Sequence, residues 1–312
     1  MTEFRDQVAI VTGSGGGLGR AHAIALAERG VRVVINDVGG VAGAQAVVDE
    51  IIAAGGTAVA DATDITDPAA VASMVAATVE RWDRIDILVN NAGILRDKTF
   101  AKMDLADFRA VLDVHLMGSV YCTDAVWPHM VEQGYGRILM TTSASGIYGN
   151  FGQANYGAAK SALVGLTNVL AIEGGRKGIR VNALAPTAAT QMTDGLLDAA
   201  AAAELGPETI APGAVFLVSD EAPTGVILGA GAGVFAVSKM VEGPSVHLPE
   251  EVRTAEELAA RWAELDDFGG LRSHASAFEQ TAHYVEVASA AATARRGLAD
   301  PAGHRENKEM TA

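Results

Sequence analysis

The chain opens on a short apolar run, Val8 to Thr12, that ends in glycine, and Leu18 to Arg29 then repeats apolar residues at helical spacing. Val31 to Asn36 is continuous and β-branched, which predicts a second buried strand. The alternation goes on. Helix is predicted over Gly43 to Ala53, strand near Thr57 to Ala60, helix over Val71 to Trp82 and strand over Ile85 to Val89. A long helical stretch, Leu105 to Met130, carries Pro128 near its end. Strand over Arg137 to Thr141, helix over Asn155 to Glu173 and strand over Ile179 to Leu184 follow. Strands that are apolar throughout, with helices between them, imply a parallel sheet covered on both faces.

Beyond Pro186 the pattern is irregular, and the alanine run Ala199 to Ala203 reads either as helix or as a lid. Val226 to Leu228 is expected to be the last strand of the sheet. After about Ala236 the composition shifts, and Thr254 to Leu265 reads as a charged amphipathic helix with Thr254 and Glu257 spaced as a capping box. The final twenty or so residues lack periodicity and are expected to be mobile. The expected fold class is α/β: a single Rossmann-like doubly wound parallel sheet over 1–235, with a helical extension over 236–295 packed on the core or on a partner subunit, and a tail over 296–312.

Composition narrows the function. A formal net charge of −15 argues against nonspecific nucleic-acid binding, and an anionic substrate would need a local basic patch. The single cysteine, Cys122, forms no intrachain disulfide and suggests the cytoplasm. Neither a signal peptide nor a run of about 18 apolar residues is seen, so no membrane partner is expected. No metal site is read.

The turn after the first strand, Thr12-Gly13-Ser14-Gly15-Gly16-Gly17-Leu18-Gly19, spaces its glycines as G-x-x-x-G-x-G. Glycines there permit a tight turn, let backbone approach a pyrophosphate and present the next helix's N-terminus to the anion. Gly13, Gly17, Leu18 and Gly19 are therefore candidate cofactor contacts. Asp37 ends the second strand, where an acid can accept from the adenosine ribose and repel a 2′-phosphate, which favours NAD over NADP. Arg20, near the turn, is the counter-signal. Asp64 and Ile65 follow the third strand and could meet the adenine edge, although a solvated turn aspartate fits DITDP as well.

Tyr156 and Lys160 stand four apart in ANYGAAKSALVGL, which puts them on one helix face. A free tyrosine, with a pKa of about 10, is a poor base near neutrality, and a nearby ammonium favours the phenolate. Lys160 can also reach a ribose hydroxyl of the cofactor. Ser143 lies thirteen residues before Tyr156, just past a strand end at the carboxyl edge of the sheet. There a hydroxyl can hold a substrate oxygen. Thr142 and Ser145 compete for that place, and spacing favours Ser143.

Together these residues resemble the short-chain dehydrogenase/reductase family. The matching motifs are TGSGGGLG, NNAG at Asn90 to Gly93, the Ser143, Tyr156 and Lys160 set, and the Pro186 segment, in order over roughly residues 5 to 235. The resemblance implies an NAD-dependent oxidoreductase acting on a CH–OH group, with Asn91, Ala92 and Gly93 beside the cofactor. It also implies contacts to the nicotinamide from Pro186 and Thr190. Two departures stand out. His115, in VHLMGS, takes the place of the family's usual relay asparagine, either to shuttle a proton or to pack and bond a backbone carbonyl. Pro186-Thr187 replaces the usual Pro-Gly. NDVGG, NNAGILRDKTFAKM, SASGIYGNFGQANYGAAK and the LAIEG run look like the dehydrogenase domains of peroxisomal multifunctional beta-oxidation enzymes of type two. That likeness implies oxidation of a (3R)-hydroxyacyl-CoA to the 3-oxoacyl-CoA, in fatty-acyl or steroid side-chain degradation. It also implies a homodimer or homotetramer. Arg96, Lys98 and Lys102 could form a basic rim for CoA or serve only as solubilising charges. The alternatives are a hydroxysteroid or other small-alcohol dehydrogenase and, from another class, a non-catalytic dinucleotide sensor.

Overall fold

The β-branched runs Val8–Thr12 (β1), Arg32–Asn36 (β2), Thr57–Asp61 (β3), Ile87–Asn90 (β4), Gly136–Thr141 (β5), Ile179–Pro186 (β6) and Ile227–Gly231 (β7) form parallel strands in the computed structural model. The structure describes residue 4 and residues 6–39, 41–188 and 204–299. The chain divides into two units, Met1–Ser238 and Lys239–Ala312. In the first, one sheet has the strand order β3-β2-β1-β4-β5-β6-β7 followed by Val234–Ser238 (β8), so direction of travel reverses between β1 and β4. Ligands of such sheets bind at that reversal, outside the carboxyl ends of the strands.

Helices cover both faces. Gly17–Ala27 (α1), Val41–Ala53 (α2), Pro68–Trp82 (α3), Leu105–Leu112 (α4), Gly118–Gln133 (α5), Ala144–Tyr148 (α6), Ala154–Gly174 (α7) and Ala211–Leu217 (α8) follow in chain order. Successive strand residues point to opposite faces. Ala9 and Val11 pack with Ala23 and Leu26 of α1 and Ala214 of α8, and Ile10 packs with Met74 of α3, Val126 of α5 and Leu163 of α7. Asp67 shows why α3 starts where it does: its carboxylate accepts from Ala69 N and Ala70 N, with Pro68 in the first turn.

Four expectations need correction. The long helix from Leu105 is interrupted by a π turn, Asp113–Met117, which changes the facing of everything in it, His115 included. Val226 to Leu228 does not end the sheet, because Val234–Ser238 (β8) returns antiparallel to β7. The connecting residues Ala232 and Gly233 both take positive φ, 50° and 72°, as a tight hairpin of the primed type requires. The residues AGAG give little hint of it. In the second unit, the helix predicted over Thr254 to Leu265 splits at Arg261 into Ala255–Ala260 (α9) and Trp262–Leu265 (α10). The capping box there is half formed. Thr254 Oγ1 accepts from Glu257 N at 3.2 Å, while the Glu257 carboxylate takes Arg261 Nε at 2.7 Å instead of reaching back. Lastly, a helix of the expected extension, Ala277–Ala299 (α11), runs past residue 295 into the stretch expected to be a tail. The alanine run 199–203 lies outside the described residues.

One core residue carries a pH signature. His22, on α1, is fully buried and neither ring nitrogen has a partner. Burial alone lowers its pKa to about 4. The folded protein therefore keeps His22 neutral where the unfolded chain, with a value of about 6.5, takes up a proton. A folded value below the unfolded one means stability is present above pH 6.5 and is lost as pH falls toward 4. Between pH 7 and pH 5 this group should remove about 2 kcal/mol. Urea unfolding of His22→Leu should show a pH dependence smaller by that amount, and an unchanged dependence would show that His22 titrates normally.

Candidate active site

The site begins where β1 and β4 end. Thr12 Oγ1 accepts from Asn91 N at 3.0 Å and Ala92 N at 3.1 Å, and Asn91 Nδ2 donates back to Thr12 O at 3.0 Å and Gly13 O at 2.9 Å. Four hydrogen bonds thus tie the first turn to the NNAG segment. Asn90, the preceding residue, points the other way and donates Nδ2 to Thr123 Oγ1 of α5 at 3.1 Å. The clasp leaves no room for side chains. A Cβ on Gly13, whose φ is +61°, would lie 2.6 Å from Ala92 Cα, and one on Gly19 would overlap the Gly13 carbonyl. A Cβ on Gly93 would overlap the His115 ring.

This turn fits a dinucleotide. Gly16, the N-cap of α1, makes no side-chain cap hydrogen bond, and nothing lies within 4 Å of where its Cβ would be. The first amides of α1, from Gly17, Leu18 and Gly19, therefore sit at an uncapped helix N-terminus beside open space, as a pyrophosphate requires. Asp37 accepts from Gly15 N at 2.9 Å and Gly39 N at 2.8 Å, so its carboxylate shapes the turn and keeps lone pairs for ribose hydroxyls. Arg20 is spent on Glu50 of α2 at 2.6 Å. One oxygen of Asp64, Oδ1, accepts from Thr66 N at 2.9 Å and Thr66 Oγ1 at 2.8 Å, and its carboxylate keeps lone pairs for an adenine edge. The Ile65 side chain is buried against Gly118. Pro186 ends β6 opposite Ala230, and Thr187 N donates to Ala230 O at 2.8 Å. Thr190 lies outside the described residues.

The catalytic candidates converge on the neighbouring strand end. Ser143 caps α6, accepting from Ser145 N at 3.1 Å, and its hydroxyl lies close enough to the Tyr156 phenol to draw its pKa down. The rival hydroxyls are engaged elsewhere: Thr142 Oγ1 donates to Lys160 O at 2.6 Å and Ser145 Oγ to Gln153 Oε1 at 2.8 Å. Gly146 lets α6 press onto α7, since a Cβ there would be 2.7 Å from Lys160 C. Lys160 is buried, lies 5.5 Å from the Tyr156 ring centre and donates Nζ to Thr141 O. Burial brings its pKa down to about 7.

The expected lowering of Tyr156 by Lys160 is not what this structure shows. Burial pushes the phenol above its ordinary value, the Ser143 hydrogen bond draws it down, and the Asp97 charge pushes it up again. The Lys160 ammonium is itself costly to bury, is bonded to a carbonyl and lies over the ring. His115 is also buried. Its Nε2 sits 2.8 Å from Ile94 O and 3.0 Å from Ile94 N, while Nδ1 has no partner. Its ring meets Tyr156 edge-on, 5.2 Å between centres. Burial first, then the Lys160 charge, hold its pKa at about 3.

Three residues of the candidate site, Asn155, Gln153 and Asp97, were not singled out by sequence. Asn155, fully buried, donates Nδ2 to Arg96 O at 3.0 Å and accepts from Tyr156 N at 2.8 Å, so it sets the start of α7. Gln153 donates to Asp97 Oδ2 at 2.6 Å. The signal available was a run of amides, Asn150, Gln153 and Asn155, just ahead of Tyr156. The basic residues Arg96 and Lys98 share one acid, Asp107, at 3.7 Å and 3.3 Å.

The chain is similar to known proteins. A family model described as short chain dehydrogenase matches residues 7–200. Peroxisomal multifunctional enzyme type 2 of Drosophila melanogaster is 42% identical over 91% of this chain, which spans about half (49%) of that protein's length. Its full-length structure superposes with a TM-score of 0.79 at 39% identity, covering 92% of this chain and 50% of the other. A short-chain type dehydrogenase/reductase of Mycobacterium tuberculosis is 41% identical over 87% of this chain and 98% of its own. A 7α-hydroxysteroid dehydrogenase solved with NADH and 7-oxo glycochenodeoxycholic acid has a TM-score of 0.68 at 33% identity, covering 74% of this chain and 95% of the other. The chain belongs to the short-chain dehydrogenase family, oxidoreductases that act on a CH–OH group with a nicotinamide dinucleotide.

Proposed function

We propose that the chain oxidises a 3-hydroxyacyl-CoA to the 3-oxoacyl-CoA with NAD, using Tyr156 as the proton acceptor. The observation that carries this reading is the Ser143 hydroxyl acting on the Tyr156 phenol with Lys160 buried beside the Tyr156 ring, two strands over from the glycine turn. When bound, the oxidised dinucleotide supplies the hydride acceptor and a positively charged ring. Ser143 holds the carbinol oxygen, and Tyr156 Oη takes its proton as the C–H bond gives up hydride. Lys160, poised near 7, adds positive charge under the phenol when protonated and reaches the cofactor ribose. Its proximity to both partners makes orientation a large part of the rate.

His115 serves as a positioning residue in this reading. A ring held neutral down to about pH 3 steadies the Ile94 backbone and braces the edge of Tyr156. NAD is favoured over NADP because Asp37 faces the ribose position and Arg20 is neutralised by Glu50. The substrate class follows the motifs shared with multifunctional enzymes of type two and is supported by the likeness to the peroxisomal multifunctional enzyme type 2 of Drosophila melanogaster. A hydroxysteroid is the second reading, favoured by the likeness to a 7α-hydroxysteroid dehydrogenase. Exposed apolar residues such as Leu105, Val169 and Ile172 on α4 and α7 support a homodimer or homotetramer. The cytoplasmic location belongs to this proposal and rests on one buried cysteine, Cys122, while several relatives carry peroxisomal names. No described helix is long and apolar enough to cross a membrane.

Purified protein with NAD should turn over (3R)-hydroxyacyl-CoA thioesters with a higher kcat/KM than hydroxysteroids; the reverse order would select the second reading. Tyr156→Phe should lower kcat by about 10²–10⁴-fold while NADH binding is retained, and comparable turnover would remove Tyr156 from the chemistry. Asp37→Asn keeps an acceptor for Gly15 N and loses the charge, so the preference for NAD over NADP should shrink about tenfold; an unchanged ratio would assign cofactor choice elsewhere.

A further inference from the structure

A side-chain clasp ties the loop after NNAG to the segment that leads into Tyr156. Gln153 Nε2 donates to Asp97 Oδ2 at 2.6 Å, and Gln153 Oε1 accepts from Ser145 Oγ at 2.8 Å and Asn150 Nδ2 at 3.0 Å. The backbone closes the same seam. Lys98 N donates to Gly152 O at 2.9 Å, and Lys98 bridges to Gln153. Asn155 fastens Arg96 O from below. The loop carrying Asp97 is thus pinned on both sides to the segment that leads into Tyr156. The neighbouring cations do not neutralise Asp97, because Arg96 and Lys98 turn to Asp107, and Asp97 has no ion-pair partner among the described residues. Its charge is felt at the phenol, where it opposes ionisation.

We propose that Asp97 is a specificity-determining residue: its fixed negative charge makes the site accept alcohols whose neighbouring carbonyl is neutral, as in a thioester, ester or ketone, and disfavour the same alcohols bearing a free carboxylate. This deepens the thioester reading above and rests on it. With the carbinol oxygen between Ser143 and Tyr156, a carbonyl two carbons away lies at the mouth. A carboxylate there meets Asp97 in a partly solvated setting, where like charges a few ångströms apart repel by an amount that changes binding about fivefold to tenfold. The clasp ties the exposed carboxylate to Gln153. Gln153 offers its amide N–H to Asp97 while its carbonyl is saturated by two donors.

The test compares kcat/KM for the N-acetylcysteamine thioester of 3-hydroxybutyrate, its methyl ester and the free acid. Wild type should prefer both neutral forms. Asp97→Asn, which keeps an oxygen for Gln153 to bond, should reduce that preference about fivefold and shift the tyrosine limb of the pH profile to lower pH. Raising salt should reduce the wild-type preference in the same direction, a readout that needs no variant. Gln153→Leu, which loosens the clasp and keeps the charge, should reduce the preference less. A preference insensitive to both Asp97→Asn and salt overturns the proposal, as does an equal loss in Gln153→Leu. If only the methyl ester is oxidised and the Asp97 effect persists, the thioester reading fails while the charge filter stands. Thioester turnover without the filter overturns the proposal and leaves the thioester reading intact.

Discussion

Thr12 and Asn91 form the contact on which the rest of the site depends. Parallel strands β1 and β4 end side by side at the reversal of the sheet, and their loops would diverge without a tie. A hydroxyl that accepts two amides, and an amide side chain that donates to two carbonyls, hold them together. Thr12 is fully buried and its partners are half-buried, so each lost partner would leave a partly desolvated donor or acceptor behind. The tie fixes the glycine turn on one side. On the other it sets the start of the NNAG loop, from which Gly93 meets His115 and Ile94 engages its ring nitrogen. Cofactor cradle and proton chemistry are thereby built on one joint.

From that joint, geometry decides which groups ionise. The π turn brings His115 under the loop, and burial keeps the ring neutral. Lys160 is forced to share a dry space with Tyr156, and it meets that cost by donating to the end of β5 and by a pKa near neutrality. Tyr156 is a phenol in this state. Its use as a base then depends on charge brought by Lys160 and by the bound dinucleotide, which couples proton removal to cofactor binding.

Much of this was legible in the residues. The apolar strands and the periodic helices between them gave the parallel sheet, and the spacing of Ser143, Tyr156 and Lys160 singled out three side chains that the fold does bring together. The failures have physical causes. A π turn adds one residue to a helix without a composition mark, so Leu105 to Met130 reads as a single helix. The β7–β8 hairpin turns on Ala232 and Gly233, and alanine at positive φ is a poor advertisement for a turn. α11 has apolar residues but no clear stripe, so periodicity misses it. Asn155, Gln153 and Asp97 act through contacts with residues far along the chain, which spacing cannot reveal. The fate of a charge is equally hidden: Arg20 points to a 2′-phosphate until Glu50 is seen across from it.

The most direct measurement is the affinity for NADH, read by fluorescence, in Thr12→Val and Thr12→Ser. Valine keeps the shape and leaves two half-buried amides without an acceptor, whereas serine keeps the hydroxyl. The joint predicts that Thr12→Val weakens NADH binding about tenfold or more, with secondary structure retained by circular dichroism, and that Thr12→Ser stays near wild type. Equal, unweakened affinity in both variants would contradict the claim that this contact shapes the cradle.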